Sequence, residues 1–166
     1  ELIIDYTEYT MPNDKHPIHP YPTRFEGLYI GLREKGKARF SINLKEFEVG
    51  ANDLVICSPD DLVQATLQND NHLVQSMVVS SHFLKEMYIS LNSFMPFFAA
   101  RKDHPVFHLT DDEVKELKSY FMLIKENVVS DDYFRLDTTK RLLAAYLYKL
   151  GSILYRHRPE LQAEAS

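Results

Sequence analysis

Seven histidines, one cysteine and the adjacent aspartates Asp60 and Asp61 are the residues of this 166-residue chain taken first for possible chemistry. His16 and His19 lie in a proline-rich stretch. His104 and His108 are four apart, but Pro105 between them breaks a helical pair on one face. Neither His-x-His nor His-Glu-x-x-His occurs, so the histidine spacing offers no metal site, and most of these residues read as surface or loop positions. Gly-x-Ser-x-Gly is missing, and with it the hydrolase elbow. No glycine loop suits a phosphate; Gly27 and Gly31 sit inside a strand pattern, where a missing side chain makes room for a neighbour or ligand. Cys57 lies in the most apolar segment, where a buried thiol is inert. Asp60 and Asp61 follow Ser58-Pro59 and read as a solvated turn rather than an acid and base. The expectation is no catalytic residue, no metal and no cofactor.

The elements that would position a binding site are easier to read. Apolar residues make up 45% of the chain and charged residues 26%, which suits one globular domain burying roughly 70% of its unfolded surface. A single cysteine excludes an intrachain disulfide framework and suits a reducing cytoplasm. The net charge of −5 argues against direct nucleic-acid binding by this chain. The best apolar stretch, Leu142 to Tyr155, is interrupted by Lys149, so no membrane span is expected. No basic-then-apolar signal peptide is visible, though the chain opens at Glu1 rather than Met, which gives that little weight.

Residues 1–23 read as an N-terminal strand and an arm, with Pro12, Pro17, Pro20 and Pro22 keeping residues 7–23 extended and irregular. Residues 24–79 read as β. Leu28, Ile30 and Leu32 alternate with Tyr29 and Gly31, and Gly36 can supply the positive φ of a hairpin turn. Ala38, Phe40, Ile42 and Leu44 alternate with polar residues in a second strand. After a turn at Gly50 to Asp53, Leu54 to Cys57 is apolar on both faces, and Pro59 stops it. Val63, Ala65 and Leu67 alternate again, Asn69-Asp70-Asn71 turns the chain, and His72 to Val79 is a further strand. Short strands at near-regular spacing predict a sandwich or barrel.

Residues 80–158 read as α. Ser80 or Ser81 caps a short helix, and Thr110 to Glu113 forms a capping box ahead of the stripe Val114, Leu117, Phe121, Ile124 and Val128. Asp131 or Asp132 begins a last helix, which ends at Arg156-His157-Arg158-Pro159, and residues 159–166 form a polar tail. That helix is apolar around most of its girth. Leu136, Leu143, Leu147, Leu150 and Leu154 make one stripe, and Leu142, Tyr146 and Ile153 a second. A surface helix has one apolar face, so the excess predicts a subunit interface using Leu136, Leu143, Tyr146, Leu147, Leu150, Ile153 and Leu154. Burial inside one subunit is the alternative.

The run GLYIGLREKGKARFSINLKEFEVGANDLVICSPDDLVQ, the strand HLVQSMVVSSHFL and two long helices together resemble the N-terminal sensor domain of AraC-type transcription regulators, in the versions common in Bacteroides-type bacteria. The resemblance covers about Arg24 to Arg158 and rests on the order of soft motifs: a glycine-turn hairpin, a Gly-x-x-Asp-Leu turn and strand ending at Pro59, and Ser-x-x-Phe-Leu opening the first helix. It implies a cupin-like β-barrel (jelly roll) with a proline-containing arm, followed by a helical dimerisation unit. Catalytic cupins hold a metal with His-x-His and Glu in a first motif and another His in a second. Here residues 26–43 contain no histidine, and Gln64 lies near where the last ligand would fall. The resemblance further implies a homodimer, a small-molecule effector, and DNA contact through helix-turn-helix units outside this chain, which 159–166 would lead toward.

On this reading a small, sugar-like effector enters the barrel, meeting Tyr21 of the arm and Arg24, Tyr29, Phe40, Gln64, Thr66 and Gln75. Strand parity decides which of these point inward, since a slip of one residue reverses every assignment. Two rivals stand beside the sensor. One is a metal-independent cupin sugar isomerase or epimerase with His72 and Tyr29 as acid and base; the other is a ligand-free interaction module.

Overall fold

Alternation of apolar and polar side chains with turn residues between them builds two antiparallel sheets. The computed structural model describes residues 2–5, 8–9, 22–24, 26–59, 61–67, 71–87 and 105–157. The strands are β1 (Leu2–Asp5), β2 (Glu8–Tyr9), β3 (Thr23–Arg24), β4 (Gly27–Lys35), β5 (Ala38–Ile42), β6 (Lys45–Val49), β7 (Asp53–Cys57), β8 (Leu62–Leu67), β9 (His72–Ser80) and β10 (Val106–His108). The helices are α1 (Ser81–Glu86), α2 (Asp111–Val128) and α3 (Arg135–Arg156). One sheet has the order β1-β9-β4-β7-β10, with β2 also pairing with β9; the other has the order β3-β8-β5-β6. Two facing antiparallel sheets followed by helices make a cupin-like β-sandwich with a helical region.

Two compact units divide the chain: Glu1–Leu84 with Pro105–Thr110, and Lys85–His104 with Asp111–Ser166. In the first, the inner faces of the sheets share one core. Tyr29, Val55, Cys57 and Val78 of the first sheet pack with Ala38, Phe40, Ile42, Val49, Val63 and Ala65 of the second. The opposite face of the first sheet, with Leu28, Ile30, Leu32, Leu54, Ile56, Met77 and Val79, is also buried. β7 is thus hidden on both faces, as its unbroken apolar run predicts.

Local chemistry sets the turns. Gly36 takes φ +89° between β4 and β5, as expected of the hairpin glycine. The Asp53 carboxylate accepts from the Gly50 amide at 2.7 Å and closes the turn before β7. Asp61 accepts from the Ser58 amide at 2.8 Å and from Asn43 Nδ2 at 2.9 Å, so it is a turn-forming carboxylate; Asp60 lies outside the described residues. The second strand ends earlier than its alternation suggests. Asn43 and Leu44, at φ 50° and 72°, form a two-residue hairpin turn into β6, and Leu44 is 86% exposed rather than buried. β10 is a strand that the sequence did not announce: Pro105 precedes it, and it pairs with β7 through Phe107 opposite Leu54. The turn at residues 69–71 and the connection at Pro96 fall largely outside the described residues.

α1 is capped by Ser80, whose Oγ accepts from the Phe83 amide at 3.0 Å. In the second unit, α2 buries Val114, Leu117, Phe121 and Ile124. α3 begins at Arg135, behind Phe134, rather than at Asp131 or Asp132. Asn127 Nδ2 donates to Thr139 Oγ1 at 2.7 Å, Lys149 pairs with Glu116 at 3.3 Å, and His157 meets Glu113 at 3.0 Å. These contacts run in opposite sequence order along the two helices, which defines an antiparallel hairpin.

The girth argument for α3 is corrected here. Leu143, Tyr146, Leu147, Leu150, Ile153 and Leu154 are each at most 3% exposed in the single chain, so these six have no surface to offer another subunit. Leu136 alone of the seven is open, at 57%. Leu136 apart, both stripes fit within one broad buried face, because residues three and four apart on a helix lie side by side.

Candidate functional site

Register assigns each candidate to a face. Tyr29 opposes Val78 and Cys57, and Phe40 opposes Ala65; both lie in the core between the sheets. Gln64 and Thr66 alternate with the inward Val63 and Ala65, so they lie on the outer face of the second sheet, where Thr66 is exposed. Arg24 opposes Leu62 on that outer side and is exposed. Gln75 is buried, but it opposes Leu32 on the far face of the first sheet, where its Nε2 donates to Glu34 Oε2 at 3.3 Å. Tyr21 and most of the arm at residues 7–23 lie outside the described residues, as do His16, His19 and His104. Of the seven candidates, the structure brings together Tyr29 and Phe40 on the inner faces.

The same parity shows what the sequence reading missed. Tyr29, Gly31 and Arg33 project to one side of β4, and His72, Val74, Ser76 and Val78 to the same side of β9, with Gly31 opposite Ser76 and Arg33 opposite Val74. That side faces the second sheet. Arg33, His72 and Ser76 are at most 2% exposed. Arg33 Nη1 lies 2.6 Å from His72 Nδ1 and donates to the Lys35 carbonyl at 3.4 Å. Ser76 Oγ is buried and has no hydrogen-bond partner among the described residues. Gly31 has no side chain because the Tyr29 ring lies across it: a Cβ there would meet ring carbons at 2.8 and 2.9 Å. The Tyr29 hydroxyl is thereby carried toward the Gly31–Ser76 pair. The clue available in sequence is Arg33, which continues the period-two series of Tyr29 and Gly31 at the charged end of the strand.

A guanidinium, an imidazole, a phenol and a hydroxyl thus line the wall of an apolar core. Burying such groups costs free energy unless something bonds to them. The arrangement can present several donors to an oxygen-rich molecule. It is poorly suited to acid–base catalysis by His72 and Tyr29, because their Cα positions are about six strand residues, or roughly 20 Å, apart along the sheet and Arg33 holds the imidazole. Among the described residues, no group of three or more His, Cys, Asp or Glu side chains is placed to hold a metal ion. Cys57 is buried in the inner core. His108 and His157 contact Asp53 and Glu113, at 2.8 and 3.0 Å. Among the described histidines, His72 is fully buried and the His157 side chain is 13% exposed, so these two depart from the expected surface positions. No described helix is long and apolar enough to cross a membrane.

No protein-family model matches the chain, and neither does any curated protein. Solved structures do. The AraC-like transcriptional activator CuxR superposes with a TM-score of 0.55 at 11% identity, over 79% of this chain and 43% of that one. ToxT from Vibrio cholerae, bound to (E)-4-(8-methylnaphthalen-1-yl)but-3-enoic acid, matches with a TM-score of 0.44 at 14% identity, over 91% of this chain and 59% of that one. A cupin superfamily protein from Desulfitobacterium hafniense matches with a TM-score of 0.34 at 9% identity, over 48% and 64%. The chain therefore shares the fold of the part of the AraC-like activator CuxR on which it superposes. The chain spans under half of CuxR's length, and the matches do not single out the Bacteroides-type versions.

Proposed function

We propose that this chain is the effector-sensing and dimerising part of an AraC-type transcription regulator of the cytoplasm. It is non-catalytic and takes a small hydroxylated molecule, such as a sugar, between its two sheets. The observation that carries this reading is the buried polar row of Tyr29, Arg33, His72 and Ser76 on the inner face of β4 and β9. The four bring hydrogen-bonding groups into an otherwise apolar interior, where a ligand bearing several oxygens can accept from the guanidinium and bond to the hydroxyls. Ser76 Oγ, which has no partner among the described residues, is the group most in need of one.

The N-terminal strands link this site to the arm. Asp5 of β1 pairs with Ser76, and Tyr9 of β2 pairs with His72, so the arm departs beside the two residues that would feel a ligand. A ligand favouring one arrangement of arm and β9 shifts the balance between two states of the regulator by its difference in affinity for them. DNA contact belongs to a part of the regulator outside this chain, whose own net charge of −5 disfavours phosphates.

Thermal melting against a panel of sugars and related metabolites tests the reading. A ligand at a hundred times its dissociation constant adds about 2.7 kcal/mol of stability. Ser76→Ala and Arg33→Met should melt cooperatively and lose that shift. A hit whose shift survives in both variants would place the ligand elsewhere, and a panel without hits would favour the ligand-free module.

A further inference from the structure

The polar row on the inner face of β4 and β9 has two chemically different ends. Arg33 opposes Val74, and Gly31 opposes Ser76 two residues away on both strands, so the two pairs lie about 7 Å apart along the sheet. At the Ser76 end the polar groups are hydroxyls: Ser76 Oγ and the phenol of Tyr29, whose ring lies across Gly31. At the Arg33 end they are nitrogens, with Arg33 Nη1 2.6 Å from His72 Nδ1. A guanidinium has no acceptor atom, so Arg33 donates and Nδ1 accepts; the imidazole is then neutral, with its proton on Nε2. The contact of Arg33 with the Lys35 carbonyl, at 3.4 Å, is also to a neutral group. Glu34, the acidic neighbour in the same strand, is turned to the far face of the sheet, where Gln75 Nε2 donates to it at 3.3 Å.

We propose that the molecule held between the sheets is a hydroxylated carboxylic acid, with its carboxylate at Arg33 and a hydroxyl at Ser76. This deepens the sensor reading given above, and rests on it. Arg33 gives the row a permanent positive charge at 2% exposure, where a charge acts far more strongly than in water. A carboxylate is planar, and its two acceptor oxygens match the fork of guanidinium N–H groups. The fork carries several donors, so Arg33 can bind a carboxylate and keep its contacts with His72 and Lys35. A neutral sugar can also accept from Arg33, but it brings no charge to match. At the other end Ser76 Oγ, buried and with no hydrogen-bond partner among the described residues, takes a hydroxyl, and Val74 supplies an apolar wall between the two ends. With carbon–carbon bonds of about 1.5 Å, a chain of about six carbons spans the distance.

Calorimetric titration of the whole chain with matched pairs tests the proposal: gluconate against sorbitol, glucuronate against glucose, and galacturonate against galactose. Within each pair a carboxylate replaces a hydroxymethyl group and nothing else changes. At least one acid should bind about tenfold or more tightly than its neutral counterpart. Arg33→Gln should abolish that preference, and Arg33→Lys, which keeps the charge, should retain part of it. Ser76→Ala should weaken the acid while leaving its preference over the neutral counterpart intact. Cooperative melting shows which variants fold; if Arg33→Gln does not, the pairs on the parent chain and on Ser76→Ala still decide. A neutral sugar that binds as tightly as its acid, and weakens in Ser76→Ala, would overturn the carboxylate and leave the sensor reading standing. An acid whose binding is unchanged in both Arg33→Gln and Ser76→Ala would overturn both, since the ligand then lies elsewhere. Failure of all three acids to bind would overturn the carboxylate alone, with the sensor reading judged by the wider metabolite panel.

Discussion

Strand β4 and helix α3 both hide most of their girth, but they differ in what they hide. From Gly27 to Arg33 every residue of β4 is buried, and among them are a phenol and a guanidinium. The buried face of α3 is leucine and isoleucine with Tyr146 and Thr139, while Tyr148, Tyr155 and, just before the helix, Phe134 stay outside. The sandwich keeps surplus polar groups inside, and the hairpin keeps surplus apolar groups outside. Stability alone favours the reverse in both places. The proposed ligand would account for the first of these anomalies.

The comparison breaks most visibly in the hairpin. Leu143→Ala should cost about 3 kcal/mol in urea denaturation, because the side chain is fully buried within one chain. A loss below about 0.5 kcal/mol would return Leu143 to a subunit interface. Glu113→Ala should cost about 3 kcal/mol or somewhat less, since its carboxylate is buried against His157 and Arg156 at 3.0 and 3.5 Å. Arg156 is half exposed and screened by solvent, so most of that loss should come from the contact with His157.

Tyr146 gives a pH test of the same core. Burial pushes its hydroxyl far above the ordinary value near 10. The unfolded chain then ionises first, so stability holds below pH 10 and falls as pH rises past it. This one group contributes a slope of up to about 1.4 kcal/mol per pH unit. Tyr146→Phe should flatten the alkaline limb of stability against pH by that amount; an identical limb in both proteins would mean that Tyr146 is open to water.

Smaller effects sharpen the other half of the comparison. Ser76→Ala should leave the ligand-free protein as stable or up to about 1 kcal/mol more stable, since it removes a buried hydroxyl without a partner among the described residues. A clear loss of stability would mean that the hydroxyl is bonded in the resting protein, and that the sandwich interior is structural. Leu44→Gly should stabilise by roughly 0.5–1 kcal/mol, because Leu44 sits exposed at φ 72° in a two-residue turn that favours glycine. Chemical denaturation of each variant measures both.

Period-two alternation is enough to locate β4, β5 and β8, an unbroken apolar run locates β7, and Gly36 is legible because a tight hairpin leaves few other residues for a positive φ. Leu44 was misread because its apolar side chain continues an alternation that the backbone has already left. β10 was invisible, since three residues after a proline carry no periodic signal. The candidate site was legible only in part. Tyr29 and Phe40 stand at inward positions, but Gln64, Thr66 and Gln75 offer only hydrogen-bonding capacity, and capacity says nothing about face. Arg33 and Ser76 come into view only once register shows which side of β4 and β9 looks toward the second sheet. The α3 stripes misled because spacing shows how wide an apolar face is and not which neighbour covers it.

The central claim is that the row from Tyr29 to His72 exists to hold a ligand. Its most direct test is a crystal structure of the protein soaked with the strongest hit of the metabolite panel. We expect the molecule between the sheets, with an oxygen within hydrogen-bond distance of Ser76 Oγ and of the Arg33 guanidinium. A bound molecule on the outer faces with Ser76 and Arg33 untouched, or an inner core that stays closed at saturating ligand, would contradict it.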